Sequence, residues 1–188
     1  LNLAVACADE WNGNYRNDFV NNDGYGATAS FNKLANDFVF HFEKELRAGK
    51  IGIAAGVFSG SVLPNRLEAY YNDSLSKVLF LHNLAILEKV FTGESLNGST
   101  SGPGLKAYLD ELNVRREGEL LSELILRQVA GARSLAEGLN ASFAQQIEDD
   151  PIAMLALYDA LQIIIPWIKV DMLQAFNVNV DYIDADGD

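Results

Sequence analysis

Residues 151–176 read PIAMLALYDALQIIIPWIKVDMLQAF. An acidic run, Glu148-Asp149-Asp150, comes just before it. Asp150 suits an N-cap, and Pro151 suits the first helical position, where a missing N–H costs nothing. Leu157, Leu161, Ile164, Ile168 and Met172 recur at helical spacing. Ile152, Leu155, Ile163, Ile165, Trp167, Val170 and Leu173 widen that stripe to almost the whole circumference. A helix apolar nearly all round is buried among other helices, so the stretch predicts an all-α core. Asp159, Pro166, Lys169 and Asp171 shorten the apolar run below a membrane span, and the reading puts no transmembrane segment in this chain. Pro166 predicts a kink, because its ring removes one backbone hydrogen bond and crowds the preceding turn.

Three further segments carry the same periodicity. Ala27–Ala48 has Phe31, Leu34, Phe38, Phe42 and Leu46 on one face, with Gly49 placed to end the helix. Residues 74–91, SLSKVLFLHNLAILEKVF, form a second inner helix, with Asp73 or Ser74 as its cap. Glu117–Leu139 carries Leu121, Leu124, Gln128, Ala132, Leu135 and Leu139. Leu1–Val20 is a weaker helix interrupted by Gly13, and Leu105–Leu112 is a short one. Phe143 and Ile147 fall in a linking turn. Thr92–Gly104, TGESLNGSTSGPG, has the composition of a flexible linker. Lys50–Asn65 is a long apolar loop that predicts a covered or functional connection. The tail after Phe176 alternates Val178, Val180 and Tyr182, the period of an extended segment. The sum is one domain over residues 1–188: an antiparallel up-down bundle of four long helices plus short ones.

Net charge is −12, from 14 basic and 26 acidic side chains. Such a surface repels phosphate backbones and excludes nucleic acid as a partner. The single cysteine, Cys7, rules out an internal disulfide. The chain starts at Leu1, which gives the expectation of a piece cut from a protein about twice as long. On that view the apolar loop Ile51–Leu63 is an interface for the other part or for a second copy.

Candidate chemistry is sparse. His41 and His82 are the only histidines, and neither stands in a zinc-peptidase spacing. His82 reads either as a core histidine or as the wall of a polar pocket, and His41–Glu45 is an i, i+4 pair that can share a ligand. In FEKELRAGKIGI, residues 42–53, Arg47 and Lys50 suit the negative end of a helix. A sharper reading makes Glu45, Arg47, Lys50 and His82 the flank of a ligand pocket closed by the loop. The final DADGD begins like a calcium loop, but the chain stops before the remaining ligands, so an acidic tail is the plainer reading. No nucleophile elbow, phosphate loop or dinucleotide fingerprint occurs.

FEKELRAGKIGI, the segment RLEAYYNDSLSKVLFLHNLAILEKVFTGES and the ending VDYIDADGD together resemble the second half of imelysin-like proteins, in versions from Bacteroides-like bacteria. The likeness rests on Glu45-Leu46-Arg47, Phe91-Thr92-Gly93 and Asp186-Gly187-Asp188 in that order, and covers most of residues 30–188. The resemblance implies two helical bundles related by a rough duplication, with export to the periplasm or to the outer membrane as a lipoprotein. It implies a binding role in iron or haem acquisition, with a metal ion, iron foremost, at the interface with a first half. The family signature G-x-H-x-x-E is absent here, since Lys44 follows His41 by three residues and Ala85 follows His82. No catalytic residue is therefore carried over, and the expectation leans against an enzyme. A metallopeptidase acting with the first half, and an envelope scaffold, are the alternatives.

Overall fold

The computed structural model describes residues 2–24, 26–72 and 74–182. The described chain is mostly helical, with one two-residue hairpin as its only named sheet. Near the N-terminus lie α1 (Asn2–Glu10), a π-helical turn at Trp11–Tyr15 and α2 (Arg16–Asn21). Gly13 breaks the run with a non-helical ψ of −136°, as its composition predicts. None of these elements buries a residue.

The second helix differs from its expected bounds. It starts at Ser30 as α3 (Ser30–Phe40) and passes into a π-helical segment, His41–Gly52. Gly49 does not end it. The chain instead turns at Gly56 and Gly60, both at positive φ. A glycine is needed at position 52 for a different reason: a Cβ there would stand 2.7 Å from the Tyr158 ring. The following loop is half covered. Ile51, Ala54 and Ala55 are buried, whereas Ile53, Val57, Phe58 and Val62 keep a large share of their surface in water.

The helix α4 (Leu75–Thr92) starts without a side-chain cap from Ser74, and Asp73 lies outside the described residues. Phe80, Leu84, Leu87 and Phe91 face inward, but Val78, Ile86 and Val90 are exposed. The helix is therefore buried on one side and not all round. Gly93 ends it in the left-handed conformation, φ 80°. Residues 93–104 are not a loose linker. Gly102 N–H bonds the Gly93 carbonyl at 2.9 Å, Ser95 N–H bonds Thr100 O at 2.9 Å, and Lys89 Nζ reaches Leu96 O at 3.0 Å. A side chain at Gly93 would meet Gly102 O at 2.1 Å, so the composition marks tight packing here, not flexibility.

After α5 (Leu105–Glu111), β1 (Arg115–Arg116) and β2 (Glu119–Leu120) pair antiparallel, Arg115 opposite Leu120. Glu117 and Gly118 both have positive φ, the two-residue turn whose twist suits a hairpin. The hairpin takes the start of the expected long helix, and α6 runs only over Leu121–Gly138. Its buried face is Leu121, Ile125, Val129, Ala132 and Ala136; Leu135 points out. Asp110 ties α5 to α6 by accepting from Lys106 Nζ at 2.7 Å and from Ser122 Oγ. Burial alone would push the Asp110 carboxyl up, yet these two hydrogen bonds hold it below the usual carboxylate range. Phe143 and Ile147 belong to a helix, α7 (Phe143–Asp149), capped by Ser142 Oγ, and not to a linking turn.

Asp150 Oδ1 caps α8 (Pro151–Gln162) at Ala153 N–H, with Pro151 in the first turn. The helical path continues through α9 (Ile164–Pro166), a π-helical segment at Trp167–Met172 and α10 (Leu173–Ala175). The change to π geometry follows Pro166 directly, where the missing N–H disturbs the regular ladder. By length and composition Pro151–Ala175 is long and apolar enough to cross a membrane. Here Met154, Leu157, Leu161, Ile164, Ile168 and Met172 are fully buried among other helices. Ile152, Ile163 and Val170 form an outward stripe, so the circumference is not entirely covered. Helix α8 packs on α6 and on His41–Gly52, α6 packs on α4, and α5 rests on α4 and α6. At the lower end Phe176 stacks on Tyr108 at 4.7 Å and meets Phe31 edge-on at 5.3 Å. Beyond it, residues 178–182 are non-helical, with Val178 buried.

Replacing Leu161 or Ile164 with Ala is expected to cost about 2–5 kcal/mol, because each is fully buried and leaves a cavity. Urea denaturation measures it; a loss below about 0.5 kcal/mol at both positions would place them outside the core.

Candidate functional site

Within this apolar interior, Glu43 and Arg47 are each only 1% exposed. They are one helical turn apart on the segment His41–Gly52. Moving a carboxylate and a guanidinium out of water costs several kcal/mol per ion unless partners replace the water. The partners come from three parts of the chain. Arg47 Nη2 stands 3.7 Å from Glu43 Oε1. Arg47 Nη1 donates to the Tyr158 hydroxyl and to Gln162 Oε1, both on α8. Its guanidinium also lies 5.1 Å from the centre of the Tyr158 ring. Lys169 Nζ, on the π-helical segment Trp167–Met172, is 3.3 Å from Glu43 Oε2. Tyr182, from the C-terminal stretch, donates its hydroxyl to Glu43 Oε2 at 2.7 Å. Lys44 Nζ adds a distant contact of 4.0 Å to Glu43 Oε1.

The C-terminal stretch is held down by more than Tyr182. The Asn36 side chain on α3 donates to Asn179 O at 3.0 Å and accepts from Asp181 N–H at 3.2 Å. One amide thus pairs with the stretch as a neighbouring strand would. The Tyr182 ring meets Phe40 edge-on at 5.3 Å and lies 5.4 Å from Lys169 Nζ. On the other side the loop after Gly52 covers Tyr158, with Phe58 edge-on to it at 6.2 Å. The site is a closed junction of two π-helical segments in which the Glu43 carboxylate is the shared counter-ion of Arg47 and Lys169, roofed by the loop and by the C-terminal stretch.

The four residues predicted to line one pocket separate. Arg47 sits in this cluster. Lys50 pairs with Glu68 beyond the loop. Glu45 is exposed, and its place at the cluster is taken by Glu43. His82 is exposed on α4, which corrects its reading as a core histidine. His41 bonds Asn83 Oδ1 at 2.9 Å and is not paired with Glu45 in any polar contact described. Sequence reasoning missed Glu43, Tyr158, Gln162, Lys169 and Tyr182. The available signal was the i, i+4 spacing of Glu43 and Arg47 inside an apolar face, with Lys169 isolated in an apolar helix.

Among the described residues no group of three His, Cys, Asp or Glu side chains comes together as a metal site. The carboxylate of Glu43 is enclosed by cations and a hydroxyl, so the cluster does not fit an iron ion. The DADGD ending and Asp186-Gly187-Asp188 lie outside the described residues. Comparison with family models, curated proteins and solved structures finds no match.

Removing one partner from this cluster strands the others. Glu43→Gln is expected to destabilise the protein by roughly 3–5 kcal/mol, since Arg47 and Lys169 then keep buried charge without a counter-ion. Tyr182→Phe, which removes only one hydrogen bond to a charged group, should cost about 1–3 kcal/mol. Equal stability of wild type and Glu43→Gln in chemical denaturation would show that the charge is not buried as described.

Proposed function

We propose that this chain is the second half of an exported imelysin-like binding protein with a role in iron or haem acquisition, and that it catalyses no reaction by itself. One observation carries the reading. The stretch 42–53 and the C-terminal stretch, the two outer motifs of the resemblance, touch each other through Tyr182 and Glu43. Motifs far apart in sequence that meet in space are expected of a common framework. On this reading the long helices form an up-down antiparallel bundle, and Pro151–Ala175 is its core helix and not a membrane span. Burial of Met154, Leu157 and Leu161 supports that choice, as does the hydrogen bond from Gln128 Nε2 to Ala160 O at 3.0 Å.

The proposal puts iron at the interface with a first half, because the described residues make no iron site of their own. The surface that would receive that half, or a second copy, is the apolar side left open by Val57, Phe58 and Val62. Periplasmic or outer-membrane residence, with a lipid anchor outside this sequence, belongs to the same proposal. An imelysin-type metallopeptidase completed by the first half and a pure envelope scaffold are the competing readings.

The test uses the whole natural reading frame beside residues 1–188. Elemental analysis after equilibration with ferrous iron is expected to find metal in the whole protein and only background in the chain alone. Absence of iron from both favours the scaffold. Metal-dependent peptide cleavage by residues 1–188, lost in His82→Ala, would overturn the non-catalytic reading.

A further inference from the structure

The arm made of α1, the turn Trp11–Tyr15 and α2 buries none of its residues, although Leu3, Val5, Trp11, Tyr15 and Val20 are large and apolar. Trp11, Tyr15 and Phe19 gather on one side of it, with ring centres 5.7 to 6.2 Å apart. Helices as short as these are marginal in water on propensity alone, and packing of an apolar face is what stabilises them. The base of the arm is fixed. Ser30 N–H bonds the Asn22 carbonyl at 3.0 Å, and Asn22 Nδ2 donates to Thr28 O at 2.8 Å. Three rings are thus presented from an ordered turn without a cover.

Two clefts meet beside the arm. The first, about 520 Å³, is lined by Trp11, Tyr15 and Phe19 of the arm and by Leu34 of α3. The second, about 570 Å³, is lined by Phe31 and Leu34 of α3, Val90 of α4 and Tyr108 of α5, and by no residue of the arm. Leu34 is common to both, so they join into one apolar trough. Leu34, Val90 and Tyr108 are each 40% exposed along it.

The chain exposes 10743 Å², about a fifth more than the roughly 8,900 Å² expected of a compact monomer of its 20.6 kDa mass. That surplus exceeds the roughly 800 Å² per partner that a stable interface removes. One chain therefore carries both parts of a contact, an uncovered apolar helix and an open apolar trough. A foreign helix would fill the trough and leave the arm bare. A second copy related by a two-fold axis covers the arm and fills the trough in both chains at once.

We infer that two copies of this chain associate through their arms, the Trp11–Tyr15–Phe19 face of each lying in the Leu34–Val90–Tyr108 trough of the other. The inference depends neither on the imelysin-like reading nor on the open loop at Val57, Phe58 and Val62. Trp11 is the anchor of the contact, because a large ring loses the most water on docking.

The test is sedimentation velocity of residues 1–188 at micromolar concentration, where twice the chain mass is expected. Trp11→Ala in the arm and Val90→Gln in the trough are each expected to weaken association about tenfold or more, whereas Val62→Ser in the loop leaves it unchanged. All three positions are exposed, and an unchanged circular dichroism spectrum for Val90→Gln checks the fold. A second measurement needs no change in the contact. Cys7, the single cysteine, is exposed on α1 and takes a nitroxide label. Labelled copies mixed with isotope-enriched Cys7→Ser copies are expected to broaden the amides of Leu34, Val90 and Tyr108 in the enriched chain. A monomer throughout the micromolar range, a dimer that resists Trp11→Ala and Val90→Gln but dissociates with Val62→Ser, or broadening that leaves the trough untouched would each overturn the inference.

Discussion

Glu43 carries a negative charge into an interior that is otherwise almost wholly apolar, and the rest of the structure is arranged around neutralising it. At an effective dielectric of about 20, a partner about 4 Å away returns only about 4 kcal/mol of Coulomb energy, against several kcal/mol of desolvation per ion. One partner is therefore insufficient. Arg47, Lys169 and the Tyr182 hydroxyl converge on the carboxylate, and Tyr158 and Gln162 in turn accept hydrogen bonds from Arg47 Nη1. Because these partners come from His41–Gly52, from the path of Pro151–Ala175 and from the C-terminal stretch, a single charge fixes the mutual placement of three segments.

The π-helical geometry of two of those segments belongs to the same constraint. A wider turn bonds residue i to i+5, as Ile53 N–H does to Ala48 O at 2.9 Å, and shifts the side chains after it out of regular helical register. Such distortions are common at functional sites, because they place side chains where an ideal helix cannot. Here they bring Glu43 and Lys169 together across two helices. The price of close approach is visible at Gly52, where only a hydrogen fits beside Tyr158.

How much of this was legible in the sequence follows from the range of each interaction. The all-α class came from periodicity, which is local: Leu157, Leu161, Ile164, Ile168 and Met172 are all buried where spacing predicts. Asp150 and Pro151 marked the start of α8 correctly for the same reason. Elements decided by tertiary contact were misread. Gly49 resembled a helix end, yet packing of Leu46, Ile51 and Ala48 carried the helix on to Gly52. Glycines at 93 and 104 resembled part of a linker, whereas they permit backbone-to-backbone contact. The buried cluster was half visible. Arg47 stood out as a charge beside glycines, and its i, i+4 spacing from Glu43 was readable, but Tyr158, Gln162 and Lys169 join the pair from a distant part of the chain that spacing does not reach. Tyr182 was beyond reach, because its partner lies 139 positions away.

Hydrogen–deuterium exchange of wild type against Glu43→Gln measures the central claim most directly. If Glu43 holds three segments together, the substitution should lower protection at 41–52, at 167–172 and at 178–182 together, while α6 and α5 retain theirs. Loss of protection confined to 41–52, with 167–172 and 178–182 unchanged, would contradict the account.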